Sequence, residues 1–255
     1  MDGILNINKP PGISSFKCLK IVQQKLGIKK VGHLGTLDPE AEGVLILLCG
    51  RATKLNQQLS GGTKIYQSVF TFGIETDTLD ADSKASVIAR SDTIPTRKQI
   101  QKALDEIMTG SISSLHNTTL DMSTQGVAIE IEVPKYSAVH INGKRAYDLA
   151  RKGVEFAPPK RVVNIKRFEL LSEKETNSPP WRGACEAGGV VFEIECQTGT
   201  YIRSLAKLLA QKLGTVAIAS KIIRTRVGDF DIKDSKSLDE VTTADLIQVM
   251  EKTVD

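Results

Sequence analysis

Residues 31–54 read VGHLGTLDPEAEGVLILLCGRATK. The run VLILLC at 44–49 is short and wholly apolar, which marks a strand buried on both faces. Ahead of it, residues 28–43 form a basic, glycine-rich loop in which Gly32, Gly35 and Gly43 let the backbone turn sharply or approach a ligand closely. Asp38 precedes Pro39, which biases Asp38 toward an extended conformation. A short carboxylate on a stiff loop beside a buried strand is well placed for catalysis. It is equally well placed to cap a turn, as Asp-Pro often does, and spacing alone leaves both roles open.

Outward from this stretch, GILNIN at 3–8 reads as a strand ended by Pro10-Pro11-Gly12. Ser14 or Ser15 then caps a helix over 15–26 with Gly27 as its stop. Helices are expected over 51–59, 96–108, 143–152 and 201–213. The second of these is the clearest, with Ile100, Ala103, Leu104, Ile107 and Met108 on one face, Thr96 before it and Gly110 after. Strands are expected over 63–73, 127–133, 161–171, 189–196 and 215–227, with a weak helix at the C-terminus. Without a regular strand–helix–strand alternation, this order favours an α+β fold with a mixed sheet over a doubly wound one. The polar, turn-rich segment 173–188 reads as a surface loop, with Trp181 packing its base.

The 255 residues carry a formal net charge of +4, with 40% apolar and 25% charged residues, as in an ordinary globular protein. The mild basic bias is compatible with RNA without demanding it. No apolar run reaches the length of a membrane span, and the opening MDGILNINKP has no export signal. Cys18, Cys49, Cys185 and Cys196 form no C-x-x-C pair, and a reduced cytoplasmic compartment is expected. His33, His116 and His140 lack metal-ligand spacing. The glycines spell neither a dinucleotide fingerprint nor a P-loop, and no G-x-S-x-G occurs. Neither a metal nor an organic cofactor is expected.

The stretch GHLGTLDPEAEGVLILLCGRATK resembles the signature loop of bacterial tRNA pseudouridine-55 synthases of the TruB type. GILNINKPPGISSF at the N-terminus, PKYSAVHINGKRAYDLARKG from 134 and GTYIRSLAKLLAQKLG from 199 resemble three further motifs of that family, in order. The resemblance runs from about residue 3 to about 232. It implies an α+β pseudouridine-synthase fold, with a mixed, largely antiparallel central sheet flanked by helices. It implies a catalytic domain over 1–232 carrying an inserted flap at about 111–132, and a short tail or helix over 233–255 in place of a full RNA-binding domain of the PUA type. By the same resemblance Asp38 is the essential aspartate, Tyr66 stacks on the target base, and Arg203 pairs with the aspartate. His33 helps to hold the flipped nucleotide, and Tyr201 lies beside Arg203. The implied partner is the T stem-loop of tRNA, bound by a monomer, with Lys9, Lys29, Lys30, Lys144, Arg145, Arg151 and Lys152 as candidates to track phosphates.

The implied chemistry suits one carboxylate. Isomerisation breaks N1–C1′, turns the base and rejoins it through C5, with no redox or phosphoryl step. Asp38 can serve by attacking C1′ or by removing a sugar proton. A glycosidase usually needs two carboxyls, and only Glu40 and Glu42 lie near Asp38 in sequence. An RNA-binding module that kept the fold without the reaction is the other rival reading. Some positions depart from the family pattern: His140 stands where lysine is common, Gln197-Thr198 where Ser-Lys is usual, and Ile223 where arginine is common. Each change trims positive charge from the RNA side.

Overall fold

The computed structural model describes residues 1–82, 84–110, 126–172 and 189–248. Most of the flap expected at 111–132 and the loop at 173–188 with Trp181 lie outside the described residues. The described end of the flap is a strand over Val127–Glu132. Of the tail or helix expected over 233–255, residues 233–248 are described; this part of the chain carries two short 3₁₀ segments, Ile232–Asp234 and Thr243–Asp245, in place of an α-helix.

The chain forms two compact units, the first of residues 1–67 with 222–255 and the second of residues 68–221. The first unit is built on β3 (Glu42–Cys49), the apolar run singled out in the sequence. β1 (Gly3–Lys9) lies antiparallel along its whole length, from Gly3 opposite Cys49 to Lys9 opposite Gly43. On its other edge, β2 (Val31–Leu34) pairs antiparallel with the end at Ile46–Cys49. At the start of β3, Glu42 and Gly43 run parallel to Ile223 and Arg224 of β12 (Ala217–Val227). Val44 through Cys49 are all at most 1% exposed. Burying apolar side chains this fully is worth about 1.5–3 kcal/mol each, so β3 anchors the unit. One face packs Val44, Ile46 and Leu48 against Ile4, Leu34, Ala52, Leu55 and Val227.

α1 (Ser15–Leu26) begins where the Ser14 hydroxyl accepts from Lys17 N–H. It ends at Gly27, whose left-handed φ of 66° lets its N–H reach the carbonyls of Gln23 and Gln24. The helix expected over 51–59 is instead a 3₁₀ segment (Gly50–Leu55) followed by a single α-turn, α2 (Asn56–Leu59). β2 was expected to be loop. After β13 (Phe230–Asp231), the described residues run back along β1, with Lys236 bridged to Ile7 and Ile247 to Ile4.

In the second unit, β10 (Lys160–Leu170) lies antiparallel between β7 (Val127–Glu132) and β11 (Gly189–Cys196), with β4 (Lys64–Phe72) next to β11; the start of β4, through Gln67, belongs to the first unit. The rings of Phe70, Phe168 and Phe192 meet at centroid distances of 4.6–6.1 Å. α3 (Arg97–Thr109) starts at a full capping box made by Thr96 and Gln99. β5 (Ile74–Thr76) pairs with β6 (Val87–Arg90), and the two-residue strands β8 (His140–Ile141) and β9 (Lys144–Arg145) form a small hairpin leading into α4 (Ala146–Arg151). α5 (Ile202–Lys212) buries Ile202, Leu205, Ala206 and Leu209. Apart from the parallel step of β3 beside β12, the ladders described here are antiparallel, so the sheet is mixed and largely antiparallel, as expected. No helix among the described residues is long and apolar enough to cross a membrane.

Candidate active site

Asp38 lies half-buried on the loop between β2 and β3. The loop is clamped at several points around it. Ser15, the residue after the α1 cap, is 1% exposed. Its hydroxyl donates to Leu37 carbonyl at 3.0 Å and accepts from Leu37 N–H at 2.8 Å. The sequence left Ser14 and Ser15 as alternative helix caps; the structure gives Ser14 the cap and Ser15 the loop. On the far side of Asp38, Ala41 N–H donates to the Asp38 carbonyl at 3.1 Å, closing a turn.

Lys9 departs from its expected role as a phosphate contact. Its side chain is fully buried, and its ammonium donates to the carbonyls of Pro10, Ile13 and Pro39 at 2.8, 2.8 and 2.9 Å. Three protons meet three carbonyls, so Lys9 is an internal strut linking the end of β1 to the residue after Asp38. Burial pulls its pKa down from 10.5 to about 8; Glu40, Asp38 and Glu42 are among the negative charges that oppose the shift.

Arg224 is the largest fully buried side chain among the described residues. Its Nε donates to Val44 carbonyl at 2.8 Å and its Nη2 to Gly35 carbonyl at 3.0 Å. One planar fork thus ties the first residue of the Asp38 loop to the buried strand that follows it. Gly35 has φ of +70°, and a Cβ there would meet Arg224 Nη1 and Lys64 Cε, each at 3.4 Å. Lys64 is itself buried. Gly43 is more constrained: a Cβ would fall 2.2 Å from the Arg224 carbonyl, so the parallel crossing of β3 and β12 requires glycine.

His33 on β2 is half-buried, and its Nδ1 is buried without a hydrogen-bond partner among the described residues. Burial, and then the Arg224 charge, push its pKa below 6.5, which keeps the ring neutral at pH 7. Tyr66 is buried on β4, with 7% of its surface exposed. Asp38, His33, Lys9 and Tyr66 therefore belong to the first unit.

Arg203 and Tyr201 belong to the second. Tyr201 is the residue at the start of α5, half-buried. Arg203 is on the apolar face of α5, 3% exposed. Its Nη1 donates to Thr78 carbonyl at 2.7 Å and its Nη2 to Tyr136 carbonyl at 3.1 Å, with Asp80 Oδ2 at 3.8 Å from Nη1. A guanidinium so held is fixed in orientation by its carbonyl partners. Lys144, Arg151, Arg145 and Lys152 are exposed on and after the β8–β9 hairpin, and Lys29 and Lys30 are exposed before β2. No group of three or more His, Cys, Asp or Glu among the described residues is arranged to hold a metal ion.

The sequence reading missed Arg224, Lys64, Ser15, Asp80 and Tyr136. Arg224 and Arg226 alternate with β-branched residues in the run IIRTRV, and the structure buries the first and exposes the second. Alternation along a strand assigns such charges to the solvent face, and burial overrode it at Arg224.

A family model described as TruB family pseudouridylate synthase (N terminal domain) matches residues 23–116 and 122–202. A protein of Geobacillus thermodenitrificans named tRNA pseudouridine synthase B is 39% identical over 241 residues, covering 94% of this chain and 72% of the relative. A protein of the same name from Alkaliphilus oremlandii is 37% identical over 255 residues, covering 100% of this chain and 73% of the relative. Among solved structures, a Cbf5-Nop10-Gar1 complex superposes with a TM-score of 0.63 at 24% identity, over 93% of this chain and 53% of the matched one. An H/ACA RNP bound to a substrate RNA containing 2′-deoxyuridine gives 0.60 at 22%, over 93% and 51%. This chain spans about half the length of those two chains, and the likeness speaks to fold. The chain belongs to the TruB family of pseudouridylate synthases, isomerases that convert uridine to pseudouridine.

Proposed function

We propose that this chain isomerises uridine to pseudouridine at position 55 in the T arm of tRNA, acting in the cytoplasm as a monomer. The observation that carries the reading is the Asp38 loop: in a chain of this family, the aspartate of the signature segment sits half-buried, with its flanking backbone fixed by Ser15, Lys9 and Arg224. The target nucleotide must leave its stack to reach such a residue, which costs a few kcal/mol that RNA contacts must return. Asp38 then acts at the sugar, as nucleophile on C1′ or as base. N1–C1′ breaks, the base turns, C5–C1′ forms, and the proton on C5 is lost as N1 gains one. Tyr66 is proposed to hold the base during the turn and Arg203 to support the carboxylate. His33, neutral, and Tyr201 are proposed to hold the flipped nucleotide. No step requires electrons or a group from a cofactor.

The test is to incubate the protein with unmodified tRNA and map pseudouridine by its reaction with a carbodiimide. A single pseudouridine at position 55 is expected. Asp38→Asn abolishes the product and keeps most of the tRNA affinity, because phosphate contacts supply most of the binding. Unmodified tRNA after prolonged incubation with wild type overturns the proposal. Release of free uracil replaces it with a glycosidase.

A further inference from the structure

The segment from 140 to 152, HINGKRAYDLARK, carries four cationic side chains and one carboxylate. Its fold concentrates them. Asn142 and Gly143, with φ of 49° and 78°, make a tight turn of the kind that closes two-residue hairpins, and it places Lys144 opposite Ile141 and Arg145 opposite His140. Ala146 is buried and its N–H donates to Val139 carbonyl at 2.7 Å, while Tyr147 N–H donates to Ser137 carbonyl at 3.0 Å. The backbone under the Tyr147 ring is therefore fixed at two successive residues.

Around that ring lie two guanidiniums. Arg145 has its central carbon 5.8 Å from the ring centroid and donates from Nη1 to the phenol oxygen at 2.9 Å. The central carbon of Arg151 lies 5.4 Å from the same centroid. Both arginines are exposed, and Lys144 and Lys152 flank them in sequence, also exposed. An exposed arginine normally samples many rotamers and loses that freedom when it grips a ligand. A ring that attracts both guanidiniums restricts them before any ligand arrives.

We propose that Tyr147 is the organising residue of a phosphate clamp, holding Arg145 and Arg151 side by side to grip the sugar-phosphate backbone of the RNA substrate. Arg145 and Arg151 supply the charge and the planar donors that suit phosphate oxygens. Tyr147 supplies their orientation and touches no phosphate. The clamp rests on the reading of the chain as a tRNA-modifying enzyme, and its test is separable from that reading because it measures binding.

The two roles differ in how they respond to salt. Each phosphate contact releases counterions, so losing one lowers the slope of log affinity against log salt by roughly 0.7–0.9. Arg145→Ala and Arg151→Ala are each expected to weaken tRNA binding and to reduce that slope by about this amount. Tyr147→Leu removes no charge, so it is expected to weaken binding about three- to tenfold with the slope unchanged. Tyr147→Phe keeps the ring and loses the Arg145 hydrogen bond, and is expected to fall between wild type and Tyr147→Leu. In turnover assays these variants raise KM and leave the rate at saturating tRNA in place. Melting curves establish that each variant is folded. If Tyr147→Leu is not, the cycle of Tyr147→Phe with Arg145→Ala decides: the clamp requires the two losses to be less than additive. Wild-type affinity in Tyr147→Leu, an unchanged salt slope in both arginine variants, or strictly additive losses in the cycle overturns the clamp. Wild type that binds tRNA without modifying it fails the proposed function and leaves the clamp to be judged by these slopes.

Discussion

The cations that brace the Asp38 loop and those on and just after the β8–β9 hairpin are the same residue types in opposite settings. Lys9 and Arg224 are buried and bonded to main-chain carbonyls at 2.8–3.0 Å. Lys144, Arg145 and Arg151 are exposed, and the restraint on the two arginines comes from one aromatic ring. A buried charge is costly to desolvate and is tolerated only when its donors are satisfied, so its position is fixed along with those of its acceptors. An exposed charge costs little and contributes little to the fold, and its strongest interactions are the ones a polyanion brings. The buried cations set geometry, whereas the exposed ones are the ones proposed to meet ligand.

The largest effect that this contrast implies falls on Arg224. Arg224→Leu leaves the carbonyls of Gly35 and Val44 without their charged donor, and hydrogen bonds to charged groups contribute about 1.5–3 kcal/mol each. Urea titration is expected to show a loss of about 3–6 kcal/mol, with turnover falling further than tRNA affinity in whatever fraction stays folded. Arg224→Lys is expected to recover the charge without the fork, and therefore stability without full rate. An Arg224→Leu protein as stable and as active as wild type would break the distinction between the two sets of cations.

Arg203→Lys comes next. One ammonium cannot reproduce a fork that reaches Thr78 and Tyr136 carbonyls from two nitrogens, so single-turnover rates are expected to fall steeply while the protein stays folded. Lys9 sharpens the contrast through pH. Its pKa in the folded chain is about 8 against an ordinary 10.5, so between these values the unfolded chain holds a proton that the folded chain has lost. Stability should therefore rise with pH across that window, relative to a Lys9→Met control, and the burial cost should be fully present below pH 8. A flat difference between the two melting curves across the window would mean that Lys9 titrates as it does in water. The smallest effect belongs to Lys144→Ala: no measurable change in stability, and a salt slope lowered by roughly 0.7–0.9.

Much of this was visible in the sequence where one signal had no competitor. Six consecutive apolar residues at 44–49 marked a buried strand, and the stripe from Ile100 to Met108 with Thr96 before it marked a capped helix. β2 was hidden because VGHL has no apolar alternation and is held as a strand by β3 across from it, a partner outside any local window. The hairpin at 140–145 carried an Asn-Gly signal that the helical reading of the following residues masked. In the site, Asp38 was legible from its motif, whereas its supports were not. Lys9 sits beside Pro10-Pro11-Gly12 like any turn lysine, and nothing local reports that its ammonium ends on a carbonyl 30 residues away. The role of Ser15 depended on which of two adjacent serines took the helix cap, a choice made by the loop at Leu37 and not by the helix.

The bond from Arg224 to Val44 joins residues 180 positions apart in the chain. At synthesis rates of about 5–20 residues per second, β3 leaves the ribosome roughly 10–40 s before its parallel neighbour exists. Throughout that interval Glu42 and Gly43, at the start of β3, lack their parallel partner, and the loop carrying Asp38 has Lys9 and Ser15 to hold it without Arg224. The nascent chain therefore carries an open start to β3 for the time taken to make the whole second unit, and the last brace of the Asp38 loop is also among the last contacts the ribosome permits.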